Sequence, residues 1–469
     1  MKTGFLPFGF KAAKMGKNPN GNEKLFRSLA ANQQFMHRRH FIKHTAMAGM
    51  ALSASPFVVR KKTSKYTVAL IGTGWWGMNI LREAIRSGEA QVVALCDVDE
   101  AQLRKADGEV QQLCTDSPKH YKDFRDCLRS TKPQIVINAT PDHWHALIAI
   151  EAMKAGAHLF LEKPIGHTVK EGTAIQQTAR DTQRICIVDF HRRYSPHNVS
   201  GMEFLKSGKL GLIQEVRAFV TYHWDFAKAD PVEEVPDGLD WEFYCGPSGK
   251  QAFSHSIHPR GWRQYGAFAN GLIGDWAPHW FDQVLWWTEE KAPRRIYSTA
   301  RFPVGEKNGK TVMRDMPDSQ VAVYEFEGFN CIWEHSLLND RPNRPSENVG
   351  VFFHGSEGTF HMGWQEGWTF YPSDPKKDMI TQPAQLDEPD SQNIRLVWAD
   401  FLASIKSGKL PHADIEHGRQ ATNMALLGML SARLGRSLEW DEAKDQVVGD
   451  EEANKLLKRD YKGGWKYPE

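Results

Sequence analysis

From Tyr66 onward the chain alternates between unbroken apolar runs and amphipathic stretches. Tyr66–Ile71, Val92–Cys96, Ile135–Ala139, His158–Leu161 and Ile185–Asp189 read as strands buried on both faces, because polar residues do not interrupt them at every second position. Between them, Met78–Ser87, Asp99–Cys114, Ala146–Ala155 and Val169–Arg180 place apolar residues at helical spacing. Strand–helix alternation with fully apolar strands predicts a parallel, doubly wound sheet over residues 64–190.

After Asp189 the period changes. Gln214–Trp224, Gln320–Phe326, Asn330–Ser336, Val349–His354 and Thr359–Met362 are strand-like, with Gly328 and Gly358 at turn positions. Consecutive strands joined by tight turns predict an antiparallel sheet, interrupted by a long aromatic and proline-rich segment from Pro231 to Trp262. Ile394–Ser407 and Glu416–Leu434 read as closing helices. The expected class is α/β, with a second domain over 191–435 and a tail over 436–469.

The first sixty residues read as an address. Residues 38–43 are Arg-Arg-His-Phe-Ile-Lys, followed by small apolar residues from Ala46 to Ala54. That run is too short to span a membrane and fits a secretory signal over 36–60. The paired arginines resemble a twin-arginine signal, which exports proteins already folded around a cofactor, so a periplasmic or otherwise exported protein is expected. Residues 1–35 fit no part of a signal, and Met36 is the expected start.

Charge changes the picture only once this segment is set aside. Residues 1–54 hold nine Lys/Arg and one Glu, so the remainder carries 50 basic against 56 acidic residues. A net of −6, without basic stretches interleaved by aromatics, argues against nucleic acid as a partner. The six cysteines form no C-x-x-C pair, and Cys96 and Cys186 fall in apolar strands, as buried free thiols do.

Gly72-Thr73-Gly74-Trp75-Trp76-Gly77 is a G-x-G-x-x-G turn between a strand and a helix. Its glycines suit a tight turn, backbone approach to a pyrophosphate and close helix–strand packing, with the helix N-terminus facing the phosphates. Asp97 ends the next strand, twenty residues after Gly77, where a carboxylate would take the ribose 2′-hydroxyl and repel a 2′-phosphate. NAD is therefore expected over NADP. The competing reading is a glycine turn that serves packing alone.

Three further segments carry a resemblance. Thr140-Pro141-Asp-His143-Trp-His145 follows the fourth strand, Glu162-Lys163-Pro164 ends the next, and Gly274-Asp275-Trp276-Ala-Pro-His279-Trp-Phe-Asp282 opens a helix of the second domain. With the glycine turn, they resemble the Gfo/Idh/MocA family over about residues 64–435. The resemblance implies a dinucleotide-binding domain and an α/β domain whose open sheet often forms a homo-oligomer interface. It implies that Thr140, Pro141, His143, His145, Glu162, Lys163 and Pro164 lie by the cofactor, with the two histidines in a loop beside the nicotinamide. It also implies that Arg192, Arg193 and Tyr194 enter the substrate domain.

Oxidising a carbinol needs a base for the hydroxyl proton, a cation near the developing alkoxide and a hydride acceptor. His279 suits the base and Lys163 the cation, while Asp275, one helical turn before His279, would orient the substrate or share the proton. Arg263 could hold a substrate hydroxyl or carboxylate, and Trp241, Trp262, Trp276 and Trp280 would flank the site. Pro278 could instead make the helix start there, which would separate Asp275 from His279. Asp275 and His279 could also ligate zinc, with Asp282 and His191 as further candidates, but two ligands are not a site. The expected activity is NAD-dependent oxidation or reduction of a secondary hydroxyl of a sugar, glycoside or cyclitol, with the cofactor tightly held. A glycosidase or epimerase working by transient oxidation is the alternative; the family's glycosidase branch lacks the Glu-Lys-Pro element. A silent sugar-binding protein on the same scaffold is a third.

Overall fold

The computed structural model describes residues 65–222, 231–303, 313–338 and 347–468, with backbone only for two short strands in 306–311. The segments expected to be a signal, 36–60, and a leader, 1–35, lie outside the described residues.

The N-terminal domain runs β1 (Tyr66–Ile71), α1 (Trp75–Arg86), β2 (Ala90–Cys96), α2 (Glu100–Leu113), β3 (Lys119–Tyr121), α3 (Phe124–Thr131), β4 (Ile135–Asn138), α4 (Asp142–Lys154), β5 (His158–Leu161), α5 (Val169–Asp181) and β6 (Cys186–Val188). The strands form one parallel sheet in the order β3-β2-β1-β4-β5-β6. The order reverses between β1 and β4, which opens a crevice at their carboxyl ends. Their unbroken apolar character is explained by helices on both faces: β4 is buried at all four positions.

The second domain follows with α6 (Pro196–Lys206), β7 (Ile213–Thr221), α7 (Trp241–Cys245), α8 (Gly271–Thr288), β8 (Arg295–Arg301), the short pair β9 (Glu306–Lys307) and β10 (Lys310–Thr311), β11 (Ser319–Glu325), β12 (Asn330–Ser336), β13 (Val349–Gly355), β14 (Gly358–Gly363), β15 (Trp368–Pro372) and β16 (Ile380–Gln382). Helices α9 (Pro389–Ser407) and α10 (Ile415–Leu434), strands β17 (Leu438–Asp441) and β18 (Gln446–Val447), and α11 (Glu451–Lys455) complete it. Ten strands make a sheet in the order β16-β15-β14-β13-β7-β12-β11-β8-β17-β18. It is mostly antiparallel, as expected, but β7 and β12 pair in parallel at its centre. Strands β11 and β12 alternate buried and accessible positions, so one face carries the core against α8 and α10.

Several boundaries move. Helix α4 begins at Asp142 behind Pro141, four residues before the expected Ala146, so His143 and His145 belong to its first turn and not to a loop. Proline suits that position because it sets φ and lacks an N–H the turn could not use. Helix α8 begins at Gly271 and carries Pro278 in its interior, so the helix does not start at the proline. Pro278 removes the N–H that the Gly274 carbonyl would accept, yet the packing of α8 in the core holds the helix through it. Helices α3 and α6 and strands β3, β8, β15 and β17 were not legible from periodicity because each is short or broken by polar residues. All six cysteines are free, and Cys96 and Cys186 are buried.

Candidate active site

The glycine turn has the shape a dinucleotide needs. Gly72 has φ of 89°, and a side chain there would strike the Ala139 carbonyl oxygen at 2.6 Å. A Cβ on Gly77 would meet the Gly72 carbonyl oxygen at 2.2 Å, so this glycine lets α1 lie close on β1. Gly74 differs: nothing lies within 4 Å of its Cβ position, and it caps α1 without a side-chain hydrogen bond or an acidic residue in the first turn. Free backbone N–H groups facing open space form an anion cradle. Asp97 follows β2 and accepts from Thr73 N at 2.7 Å and Thr73 Oγ1 at 2.9 Å, which fixes the carboxylate at the rim of the turn. The residues present therefore fit NAD.

These residues open into a cleft of about 920 Å³, solvent at its mouth included. Its floor is Gly72, Gly74, Trp76, Asp97, Thr140 and Pro141, and its opposite wall is Phe243, Tyr244, His258, Arg260 and Trp262. That wall comes from the Pro231–Trp262 segment, of which only Trp241 and Trp262 were expected to flank the site, and Trp262 does line the cleft. The segment has its own small core of Trp241, Tyr244, Phe253, Ile257, Trp262, Tyr265 and Phe268. His258 fastens it to the N-terminal domain through Asp99 at 2.8 Å, and Tyr244 O lies 2.8 Å from His143 Nε2 and 2.9 Å from Trp144 Nε1.

At the inner end of the crevice, the turn after β5 meets α8. Lys163 Nζ lies 3.0 Å from Asp275 Oδ1 and 2.8 Å from the Asp275 carbonyl oxygen. Arg263 Nε approaches the same Oδ1 at 2.9 Å, and Arg263 also lines the cofactor cleft. Burial alone would raise the Asp275 carboxyl, but Arg263 and Lys163 hold it down at about 2. One turn on, His279 is buried, with Nδ1 unpartnered. Burial, with Lys163, His191 and Arg192 nearby, pushes its pKa well below the ordinary imidazole value, so the ring is a neutral acceptor at pH 7.

Several neighbours carry no motif. Trp364 lies 5.1 Å from His279, 5.5 Å from His191 and 4.9 Å from Trp276, ring centre to ring centre. Its loop is held by Glu347, whose carboxylate accepts from the N–H groups of Trp364 and Gln365 at 2.6 Å each. Arg192 stacks over Trp364 at 3.5 Å and donates to its carbonyl oxygen at 2.5 Å; burial lowers its pKa to about 10. Glu162 and Asp189 are two buried carboxyls joined by the Trp76 indole, whose Nε1–H reaches Glu162 Oε1 and, at 2.9 Å, Asp189 Oδ2. Burial and the facing Asp189 raise Glu162 well above the carboxylate range, while His191 helps keep Asp189 ionised against its own burial. Only the chain's long-range fold brings Trp364 to His191 and His279, so spacing could not have found it.

Other expected site residues lie elsewhere. His143 and His145 line no part of the cleft: burial lowers them to about 3 and 4, and the His145 ring sits between the carbonyls of Thr140 (2.8 Å) and Pro164 (2.7 Å). His145 thus braces the turn that carries Lys163. Tyr194 donates to Asp400 at 2.7 Å and accepts from Ala413 N at 3.1 Å, a tie between elements of the second domain. Arg193 grips both oxygens of Asp282 at 2.7 and 2.8 Å, so this carboxylate is engaged in a buried ion pair. Trp241 and Trp280 are packed in cores. No three His, Cys, Asp or Glu side chains converge as metal ligands among the described residues.

Three family models match in succession: an oxidoreductase family model with an NAD-binding Rossmann fold over residues 66–190, and Gfo/Idh/MocA C-terminal domain models over 202–361 and 350–467. The glycosyl hydrolase family 109 protein 2 of Shewanella sp. (strain ANA-3) is 30% identical over 333 residues, covering 66% of this chain and 69% of that protein. The alpha-N-acetylgalactosaminidase of Shewanella oneidensis is 27% identical over 336 residues, covering 66% and 70%. Among solved structures, an oxidoreductase domain protein from Kribbella flavida has a TM-score of 0.63 at 21% identity, covering 81% of this chain and all of that one. Levoglucosan dehydrogenase with NADH and levoglucosan has a TM-score of 0.62 at 18% identity, covering 80% and 99%. The glycine cradle, the crevice between two domains and the run of three matching models lead to one assignment: the chain belongs to the Gfo/Idh/MocA family of NAD-binding oxidoreductases.

Proposed function

We propose that this enzyme oxidises and reduces a secondary hydroxyl of a sugar or glycoside, with NAD held in the cleft between the domains. The observation that carries this reading is the meeting of Lys163 with Asp275 across the crevice, one helical turn from a neutral, buried His279. NAD, when bound, supplies the hydride acceptor. His279 takes the hydroxyl proton, and Lys163 stabilises the alkoxide oxygen with the donor that Asp275 leaves free. Asp275, held by two cations, keeps Lys163 aimed. Trp276 and Trp364 offer faces for sugar C–H surfaces.

The glycosidase reading is favoured by the 30% identical family 109 relative. In that cycle a transiently formed ketone acidifies the neighbouring C–H, the glycosidic bond eliminates, water adds and the ketone is reduced again. Purified protein incubated with a panel of glycosides separates the two. Accumulating reduced nucleotide with an intact glycosidic bond supports the dehydrogenase, while free sugar without net reduction supports the glycosidase. Neither turnover nor bound nucleotide would refute both.

The same proposal includes export through the twin-arginine signal at residues 36–60, and self-association through the ten-stranded sheet. Tyr297 and Val321, 49% and 44% exposed on its strands, support the second point. Protease protection in intact cells and sedimentation velocity test them.

A further inference from the structure

Beyond α11 the chain runs back across the N-terminal domain, where Leu457 O accepts from Lys170 N at 3.0 Å. Arg459 then makes three contacts: Nε to Glu171 Oε1 at 3.0 Å, Nη2 to the His143 carbonyl at 2.8 Å and Nη1 to Ser248 Oγ at 3.2 Å. Tyr461 donates to the same Glu171 oxygen at 2.8 Å, and Lys462 N donates to the Pro247 carbonyl at 3.0 Å. Glu171 has no solvent exposure, and its other oxygen accepts from His167 N at 2.6 Å. One buried carboxylate thus fastens α5 and this segment together.

Trp465 completes the arrangement. Its ring sits edge-on to Trp144 at 4.7 Å and to Phe243 at 5.7 Å, stacks near Phe124 at 6.3 Å and lies under Arg125 at 4.8 Å. Phe124, Trp144 and Phe243 all line the cofactor cleft, whereas Trp465 touches them from outside it. Phe243 belongs to the wall supplied by the second domain, and Trp144 and Phe124 to the floor domain. Trp465 therefore closes the joint between floor and wall, and Arg459 ties the wall at Ser248 to α4 and α5.

We propose that residues 458–467 are a strap that holds the cleft shut on the dinucleotide, with Trp465 and Arg459 as positioning residues that set how slowly the cofactor leaves. Opening the wall to release nucleotide requires Phe243 to part from Trp144, which the strap resists without contacting the ligand. The inference rests on the NAD-binding reading.

The test uses the full-length protein loaded with NADH and chased with excess NAD, with loss of tryptophan-to-NADH energy transfer as the readout. Trp465→Ala is expected to release NADH at least tenfold faster than the parent, with its melting temperature close to the parent's. Arg459→Lys keeps the charge and loses the forked contact, and is expected to give an intermediate rate if Trp465→Ala proves unstable. Release rates equal to the parent's in folded variants overturn the strap and leave the cofactor assignment standing. A parent protein that binds no NADH overturns the assignment and the strap with it.

Discussion

Lys163 Nζ and Asp275 Oδ1 stand 3.0 Å apart, one on the turn after β5 and the other on α8. The contact spans 112 residues of chain and is a charge pair that the two domains share at the inner end of the crevice. Lys163→Ala should lower turnover by about 100- to 1,000-fold, the usual effect of deleting a preorganised donor to a developing oxyanion. Copurified nucleotide, measured after denaturation, should stay at the parent's level. Turnover within threefold of the parent would remove Lys163 from the chemistry.

His279 makes the pH dependence specific. Its folded pKa lies well below the usual 6.5, so the base is deprotonated and ready at neutral pH, and the acid limb of kcat/KM should fall below pH 6.5. Arg192 is one of the cations that depress it. Arg192→Gln should therefore raise the His279 pKa and move the limb to higher pH. A limb that stays put, or moves to lower pH, contradicts this placement of the base.

Two glycines of one turn should respond differently. Gly74 has φ of −65° and open space at its Cβ position, so Gly74→Ala should fold normally while its methyl group intrudes on the phosphate cradle. Gly77→Ala has no room and should lower the melting temperature itself. Calorimetric melting with nucleotide titration distinguishes the two effects. Equal NAD affinity in Gly74→Ala and the parent would count against the cradle.

Buried neutral histidines should make the protein acid-sensitive. His143 is lowered to about 3, and His145 and His335 to about 4, each chiefly by burial. In the unfolded chain these rings take up protons near 6.5, whereas the folded rings resist until about 3–4. Their stabilising effect is complete above pH 6.5 and lost as pH falls toward 4, at about 1.4 kcal/mol per pH unit per group. Urea midpoints should drop steadily from pH 6.5 to 5; a level profile would show that these rings titrate normally.

Asp282→Ala should be among the costliest single changes. It leaves the Arg193 guanidinium, 3% exposed, without its counter-charge, and such deletions cost about 3–5 kcal/mol. Chemical denaturation should show part of the loss restored when Arg193→Met is added. A double variant no more stable than Asp282→Ala would point to packing instead.

The parallel sheet was legible because helices on both faces force its strands to be apolar throughout, and the glycine turn because close backbone approach at Gly72 and Gly77 admits no side chain. Lys163, Asp275 and His279 were legible by resemblance, and α8 running through Pro278 keeps the last two one turn apart. His143 and His145 were misplaced because a proline ahead of Asp142 looked like a loop when it was opening a helix. Asp189 and Trp364 had no local signature: each acquires its neighbours only when β6 and the turn after β14 converge on α8. The Pro231–Trp262 segment looked irregular because its order comes from aromatic clustering, which has no period.

That aromatic segment has a thermodynamic consequence. Since one wall of the cleft comes from the second domain and is pinned to the first through His258 and Asp99, a nucleotide seated there would touch both halves of the molecule. Its binding free energy is then common to both, and the loaded protein should melt in one calorimetric peak whose midpoint climbs with ligand concentration. Emptied of nucleotide, the halves lose that shared term, and their unfolding can separate into two steps.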